Sequence, residues 1–287
     1  MIVDPPFLAP GAADLPQVES PEAASLTQSV HGQAEGDVPL EIALFQRQLS
    51  VADAEPTLGM SERIQQLDDK YPDKDGDTVM HIAAVKSDLN LASLWRCNFQ
   101  DKFAEQLNRQ NLLGQTPLHL AVINNDPPMI DFLLQNGASI EIQEMDGRNS
   151  IHMACQYGDI NTLGQLLKFA GQREINLPSV INTAEHCDGG LNCLLFFLRH
   201  HEPVPESQFA VIDLLFSYGA NPDFADKCSG KNLVHYIADQ NNVALYNYLR
   251  ERYPQYIHWE APRFDGTFIT FDGETFVHTK PETPEED

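Results

Sequence analysis

The stretch from Leu107 to Ile140, L-N-R-Q-N-L-L-G-Q-T-P-L-H-L-A-V-I-N-N-D-P-P-M-I-D-F-L-L-Q-N-G-A-S-I, constrains the fold more than any other part of the chain. It encodes a turn, two short helices and a stop. Asn111 to Gln115 supplies the turn, with Gly114 where a side chain would obstruct the backbone. Thr116 is placed to accept hydrogen bonds from free amides of the first helix, and Pro117 takes the first helical position, where its missing N–H costs nothing. Leu118, Leu120, Ala121 and Val122 make that helix apolar. After a turn at Asn125 to Pro128, Ile130, Leu133 and Leu134 line one face of a second helix, which Gly137 ends in the left-handed conformation. Two such helices cannot bury their own apolar faces, so the unit demands neighbours.

Those neighbours are present. D-G-D-T-V-M-H-I-A-A runs from Asp75 to Ala84, and D-G-R-N-S-I-H-M-A-C from Asp146 to Cys155, with Thr162, Leu163, Leu166 and Leu167 behind it. G-L-N-C-L-L-F-F-L from Gly190 to Leu198 is followed by V-I-D-L-L-F-S-Y-G-A-N-P from Val211 to Pro222. G-K-N-L-V-H-Y-I-A-D spans Gly230 to Asp239, with Leu245, Tyr248 and Leu249 after it. The turn glycines Gly76, Gly114, Gly147, Gly190 and Gly230 are 38, 33, 43 and 40 residues apart, and the excess falls mainly at 170–188 and 200–208. Turn, capped helix, helix and glycine stop, repeated at a period of roughly 33 residues, is the pattern of ankyrin repeats. The expected fold is an all-α ankyrin-repeat solenoid of about five to six repeats, whose long members carry insertions in loops. Thr78, Thr116, Asn149, Asn192 and Asn232 hold the cap position, and His81, His119, His152 and His235 recur three residues later as a structural signature. The fourth unit has Leu195 in place of the histidine and Phe197 in place of a recurring alanine, which predicts local distortion.

Outside the repeats the composition changes. Residues 1–60 read as a disordered acidic N-terminal tail: up to Lys70 there are twelve acids against three bases and no periodic apolar pattern before Leu40. Within it, Pro39–Leu49 has the spacing of a short amphipathic helix, and Ser61–Leu67 that of a helix leading into the stack. The repeat domain spans 61–253. Residues 254–287 read either as a degenerate sixth repeat or as a hairpin, Phe268–Phe271 and Glu274–Val277 about Asp272–Gly273, followed by an acidic Pro/Glu/Thr tail.

A net charge of −24 argues against direct nucleic-acid binding, which needs a basic footprint, and favours basic or apolar protein partners. No apolar run approaches the ~18 residues of a membrane span, and the start lacks the pattern of a signal peptide. Five cysteines without C-x-x-C spacing fit reduced, mostly buried thiols, and an intracellular location is expected. His186, Cys187, Cys193, His200 and His201 are metal-type ligands, but their spacing fits no zinc motif and no metal or other cofactor is expected. No phosphate loop, nucleophile elbow or paired-carboxylate arrangement stands out, so the chain does not read as an enzyme.

The D-G-D-T-x-x-H-I-A of the first unit, L-N-x-Q-N-x-L-x-Q-T-P-L-H-L-A-V-I of the second, and C-S-G-K-N-L-V-H-Y-I-A-D of the fifth resemble the inhibitor-of-NF-κB (IκB) family, to which Cactus belongs. The resemblance covers about Asp73 to Arg250. It implies a monomer that binds a dimeric Rel-homology transcription factor, hides its basic nuclear-localisation segment and opposes DNA binding. Partner contacts are then expected at the acidic turns, Asp73, Asp75 and Asp77 in the first unit and Glu144 and Asp146 in the third, where carboxylates meet Lys and Arg without being buried. Kinase and ubiquitin-ligase machinery are further implied partners. The tail departs from the family's D-S-G-x-x-S pattern and has no lysine before Lys70, leaving Ser20 and Thr283 as phosphorylation candidates. The alternatives are a general ankyrin adaptor or scaffold and a nuclear IκB-like co-regulator.

Overall fold

The computed structural model describes residues 72–157, 159–257 and 262–280. The two tails, the Pro39–Leu49 and Ser61–Leu67 segments, Ser20 and Thr283 lie outside the described residues.

Each repeat contributes a helix pair. The first unit supplies α1 (Val79–Val85) and α2 (Leu89–Asn98), with an additional α3 (Gln100–Leu107), and the second α4 (Pro117–Ile123) and α5 (Pro127–Gln135). The third supplies α6 (Ser150–Tyr157) and α7 (Ile160–Gln172), followed by the short α8 (Leu177–Ile181). The fourth contains α9 (Cys193–His200) and α10 (Phe209–Ser217), and the fifth α11 (Leu233–Asp239) and α12 (Val243–Arg252). The first helices α1, α4, α6, α9 and α11 pack side by side in one layer, with α2, α5, α7 and α10 behind them. Tyr248 on α12 extends the second layer, its ring 4.9 Å from Phe209. Between the layers lies an apolar core in which Met80, Leu118, Ile130, Leu133, Leu134, Ile151 and Leu195 are fully buried.

The sequence explains where each helix begins and ends. Asp88, Asp126 and Asp159 cap α2, α5 and α7 through their carboxylates, and the α5 cap accepts from the Met129 amide at 3.2 Å. At the end of α5, Gly137 sits at φ 105°, which lets the Ala138 amide reach back to the Leu133 carbonyl at 3.0 Å. The excess of the first spacing is taken up by α3, a helix the repeat pattern does not announce. Phe103 on α3 is buried and lies edge-on to Phe132, centroids 6.3 Å apart, while the Trp95 ring on α2 lies 4.1 Å from that of Phe99, tilted by 31°, and donates to Gln106. The insertion at 170–188 forms α8, whose Val180 carbonyl accepts from the Asn149 side chain at 3.0 Å. That at 200–208 runs into a single 3-10 turn, Glu206–Gln208, leading straight into α10.

The distortion expected in the fourth repeat does not appear in its first helix. α9 is eight residues long, Asn192 accepts from the Leu195 amide at 3.0 Å, and Leu195 and Phe197 are both fully buried. Leu195 fills with apolar contact what the histidines elsewhere fill with polar contact, and the Phe197 ring lies 4.7 Å from that of His201.

Beyond α12 the chain forms a two-stranded antiparallel hairpin, β1 (Phe268–Phe271) and β2 (Phe276–Thr279). Phe271 pairs with Phe276, so the loop is the four residues Asp272–Thr275 and the second strand starts two residues later than the Asp-Gly pair predicts. Asp272 sets that loop by accepting from the amides of Glu274 and Thr275, at 2.9 and 2.8 Å.

Candidate protein-binding edge

One edge of the stack is built from the turns. Each turn closes on itself through an amide that donates to a carbonyl beyond the turn glycine, as in Asp73 to Asp77, Asn111 to Gln115 and Glu144 to Arg148. Consecutive turns are then stitched together: the amides of Leu112, Met145, His186 and Lys227 donate to the carbonyls of Asp75, Leu113, Asp146 and Gly189, at 2.9, 3.1, 2.6 and 2.7 Å. This close approach is why the turns need glycine. A Cβ on Gly114, at φ 74°, would lie 2.8 Å from the Met145 nitrogen.

The repeat histidines hold the turns against the helices. Nδ1 of His81 accepts from the Thr78 amide at 3.1 Å and lies 2.8 Å from the Thr78 hydroxyl, while Nε2 lies 2.9 Å from the Gln115 carbonyl of the next repeat. All three contacts are satisfied with the proton on Nε2, so the ring is neutral and joins two repeats. His152 reaches the Leu191 carbonyl in the same way at 3.4 Å. Burial pushes His119 and His152 down to about 4 and lowers His81 as well. These side chains are fully enclosed, which fits a structural role.

The acidic turn residues have distinct surroundings. Asp75 is exposed, whereas Asp73 and Asp77 are half-buried. Asp73 accepts from the amides of Asp75 and Asp77, both at 2.9 Å, and Asp77 accepts from the Asn111 side chain at 2.8 Å. In the third turn Glu144 is only 8% exposed and accepts from Arg148 Nε at 2.9 Å. Asp146 also pairs with Arg148, and the Cys187 thiol donates to it at 3.1 Å. Among the five predicted contact residues Asp75 is thus the most open carboxylate, and Glu144 faces inward.

Between these acids lies an apolar element that charge-based reasoning passes over. Leu112, Leu113 and Met145 at the second and third turns are 68%, 59% and 68% exposed, and the turn-to-turn hydrogen bonds make them neighbours. In the sequence they stand one or two residues before a turn glycine, outside the helical apolar pattern. Two further carboxylates act within turns. Burial pushes Glu185 up, but amides including those of Leu191, Asp188, Cys187 and Gly190 outweigh it and hold the carboxyl below its usual range. Asp226 is similarly lowered by the hydroxyl and amide of Ser229 and the Tyr236 hydroxyl, against its burial.

Among the described residues no three His, Cys, Asp or Glu side chains are grouped to hold a metal. Cys193 is buried against Cys155, and its enclosure pushes the thiol well above the ordinary range. His200 and His201 bond the Phe196 and Cys155 carbonyls at 2.9 and 3.0 Å.

The sequence model of the family described as "Ankyrin repeats (3 copies)" matches residues 57–144 and 91–179. The chain carries ankyrin repeats and has the ankyrin-repeat fold. It is homologous to NF-kappa-B inhibitor alpha of Sus scrofa, 30% identical over 155 residues, which covers 54% of this chain and 46% of that protein. B-cell lymphoma 3 protein of Homo sapiens is 32% identical over 174 residues, 60% of this chain and 35% of the relative. The ANK repeat-containing protein nipk-1 of Caenorhabditis elegans is 30% identical over 190 residues, 62% of this chain and 30% of the relative. The ankyrin stack thus spans between about a third and a half of the length of these curated relatives. Among solved structures, the ankyrin repeat domain of Bcl-3, described as a unique member of the IkappaB protein family, superposes with a TM-score of 0.56 at 28% identity, covering 68% of this chain and 78% of that one. Among the described residues no helix is long and apolar enough to cross a membrane.

Proposed function

We propose that the protein binds a dimeric Rel/NF-κB-type transcription factor through its turn edge, masks the factor's basic nuclear-localisation segment and opposes DNA binding. The observation that carries this reading is the composition of that edge: Asp73, Asp75 and Asp77 on one side and Asp146 on the other, flanking the exposed Leu112, Leu113 and Met145. An apolar centre rimmed by carboxylates suits a segment that mixes basic and apolar side chains. The apolar contact supplies affinity, and the charges supply encounter rate and orientation. Homology to NF-kappa-B inhibitor alpha and Bcl-3 supports the choice of a Rel-type partner. A net charge of −24 is consistent with competing against DNA for a basic surface.

The test is capture of a purified Rel-homology dimer by the full chain at low salt. Asp73, Asp75 and Asp77 changed together to Asn should slow association several-fold and flatten its salt dependence, because steering falls with lost charge. Failure of the unaltered chain to retain any Rel-homology dimer would sink the proposal. Unchanged salt dependence in the variant would sink only the role of these acids.

A second reading, a nuclear co-regulator that is not destroyed on signalling, is favoured by one observation: residues 1–69 contain neither D-S-G-x-x-S nor a lysine. Protein half-life and location before and after stimulation separate the two. Rapid signal-dependent loss supports the inhibitor, and persistence in the nucleus supports the co-regulator.

A further inference from the structure

The ladder of turns does not stop at the fifth repeat. The Arg263 amide donates to the Thr267 carbonyl at 3.0 Å, Gly266 takes φ 79°, and the Phe264 amide donates to the Ser229 carbonyl of the fifth turn at 3.1 Å. Residues 263–267 therefore form a sixth turn in register with the others. The chain beyond this turn does not form a helix pair. The cap position two residues after the glycine, held by Thr78, Thr116, Asn149 and Asn232 elsewhere, is here Phe268, which offers no acceptor to a helix, and Ile269 and Thr270 are β-branched.

The junction with the fifth repeat also differs from those before it, and the difference lies in its charge. Nε2 of His235, like that of His119, has no hydrogen-bond partner among the described residues, so the polar link that His81 and His152 make to the next repeat is missing here as it is in the second repeat. What the fifth junction adds is charge gathered on Asp239. This carboxylate receives Lys231 Nζ at 2.9 Å and bonds Arg263 of the sixth turn, with Nε2 of His278 on β2 at 3.9 Å. The equivalent last-turn positions of the other first helices hold Val85, Ile123, Gln156 and Arg199, so the arrangement belongs to this junction. The apolar half of the contact comes from Ile269, 1% exposed, and from Tyr246 on α12, whose ring lies 4.6 Å from Phe271 and 5.5 Å from Phe276.

We infer that residues 262–280 are a strap that closes the end of the stack in place of a sixth repeat, and that Asp239 is the latch holding it down. A two-stranded hairpin is marginal alone, so its order depends on this docking. Because one half of the contact is ionic and partly open to solvent, docking responds to salt where the apolar junctions between repeats do not. Release of the strap uncovers Tyr246 and the end of α11 and loosens the fifth repeat, whose neighbour on that side is lost. Undocking is then a local equilibrium at one end of the stack, separate from the turns proposed above to bind a partner.

Amide hydrogen exchange on the full chain tests this. Asp239→Asn keeps the shape but removes the charge, and should speed exchange across 268–279 and α11 by about tenfold, leaving α1–α5 unchanged. In that variant, raising the salt should no longer accelerate exchange of the hairpin. Ile269→Ala, which removes the apolar anchor, should speed hairpin exchange on the order of a hundredfold while keeping the salt response. Three results would overturn the inference: hairpin amides of the unaltered chain exchanging at free-peptide rates, no change in Asp239→Asn, or acceleration spread equally to α1–α5.

Discussion

Moving from pH 7 to pH 5 should weaken the stack through its buried histidines, and His152 gives the cleanest measure. Its ring is fully enclosed, capped by Asn149 and edge-on to Phe196 at 5.5 Å, and burial pushes it down to about 4 against an ordinary value near 6.5. Between those two values the unfolded chain carries a proton that the folded chain excludes, so stability rises with pH across this window. The contribution is complete above about pH 6.5 and is lost as the pH falls toward 4. At pH 5 the unfolded ring is almost wholly protonated and the folded ring almost wholly neutral, a difference of about 1.5 pH units, or about 2 kcal/mol. That is a large part of the ~5–15 kcal/mol by which a domain is stable. The chain also carries 42 Asp and Glu residues whose mutual repulsion eases as the pH falls, so the raw pH dependence mixes opposing effects. Urea unfolding of the wild type and of His152→Gln at both pH values removes the mixture, because the carboxylates are common to both proteins. The wild type should lose about 2 kcal/mol more than the variant between pH 7 and 5. Equal losses would show that His152 is not held neutral by the fold.

The geometry carries three further outcomes. Gly114→Ala should cost about 2–3 kcal/mol in urea unfolding, since it combines a left-handed backbone with a clash against the Met145 amide nitrogen, while Gly137→Ala, with nothing within 4 Å of its added methyl, should cost about 1 kcal/mol; equal costs would refute the steric part of the argument. Asn192→Ala should destabilise the fourth repeat by about 1 kcal/mol through loss of its bond to the Leu195 amide, read as a lower urea midpoint with unchanged slope. In a thiol titration of the native protein Cys97, Cys187 and Cys228 should react at once, whereas Cys155 and Cys193 should respond only after denaturant is added.

The helix pairs were legible because their signals are local. A cap at Thr116, a proline at 117, a period of 3.6 in the apolar residues and a glycine at 137 each act within a few residues, and each is where the structure needs it. What was not legible depended on distance. α3 exists because Phe103 finds Phe132 across the repeat boundary and Gln106 finds Trp95, contacts that no spacing in 100–107 announces. The regularity of α9 was hidden for a related reason. Leu195 breaks a polar pattern, but the space it enters is fully enclosed, so an apolar side chain is no defect there. The hairpin lay between two readings because its residues carry signals of both: Gly266 takes the φ of a repeat's turn glycine, and Phe268 stands where that repeat would need a cap.

The same distinction applies to the acidic edge. Its charges could be counted in the sequence, but not sorted into those that stand open to solvent and those that build the turn. Asp73 is engaged by two backbone amides and Glu144 by Arg148, so neutralising either one changes the shape of a turn as well as its charge. Asp75 has the open position, on a turn whose carbonyl already bonds the next repeat. A carboxylate presented this way loses little conformational freedom when a cation arrives, because the backbone beneath it is fixed by the stack. Such preorganisation lets an exposed charge orient a partner even though exposed pairs contribute little free energy individually. The inward acids therefore belong to the proposed binding edge in a different sense: they hold rigid the turns on which Asp75, Leu112, Leu113 and Met145 are displayed.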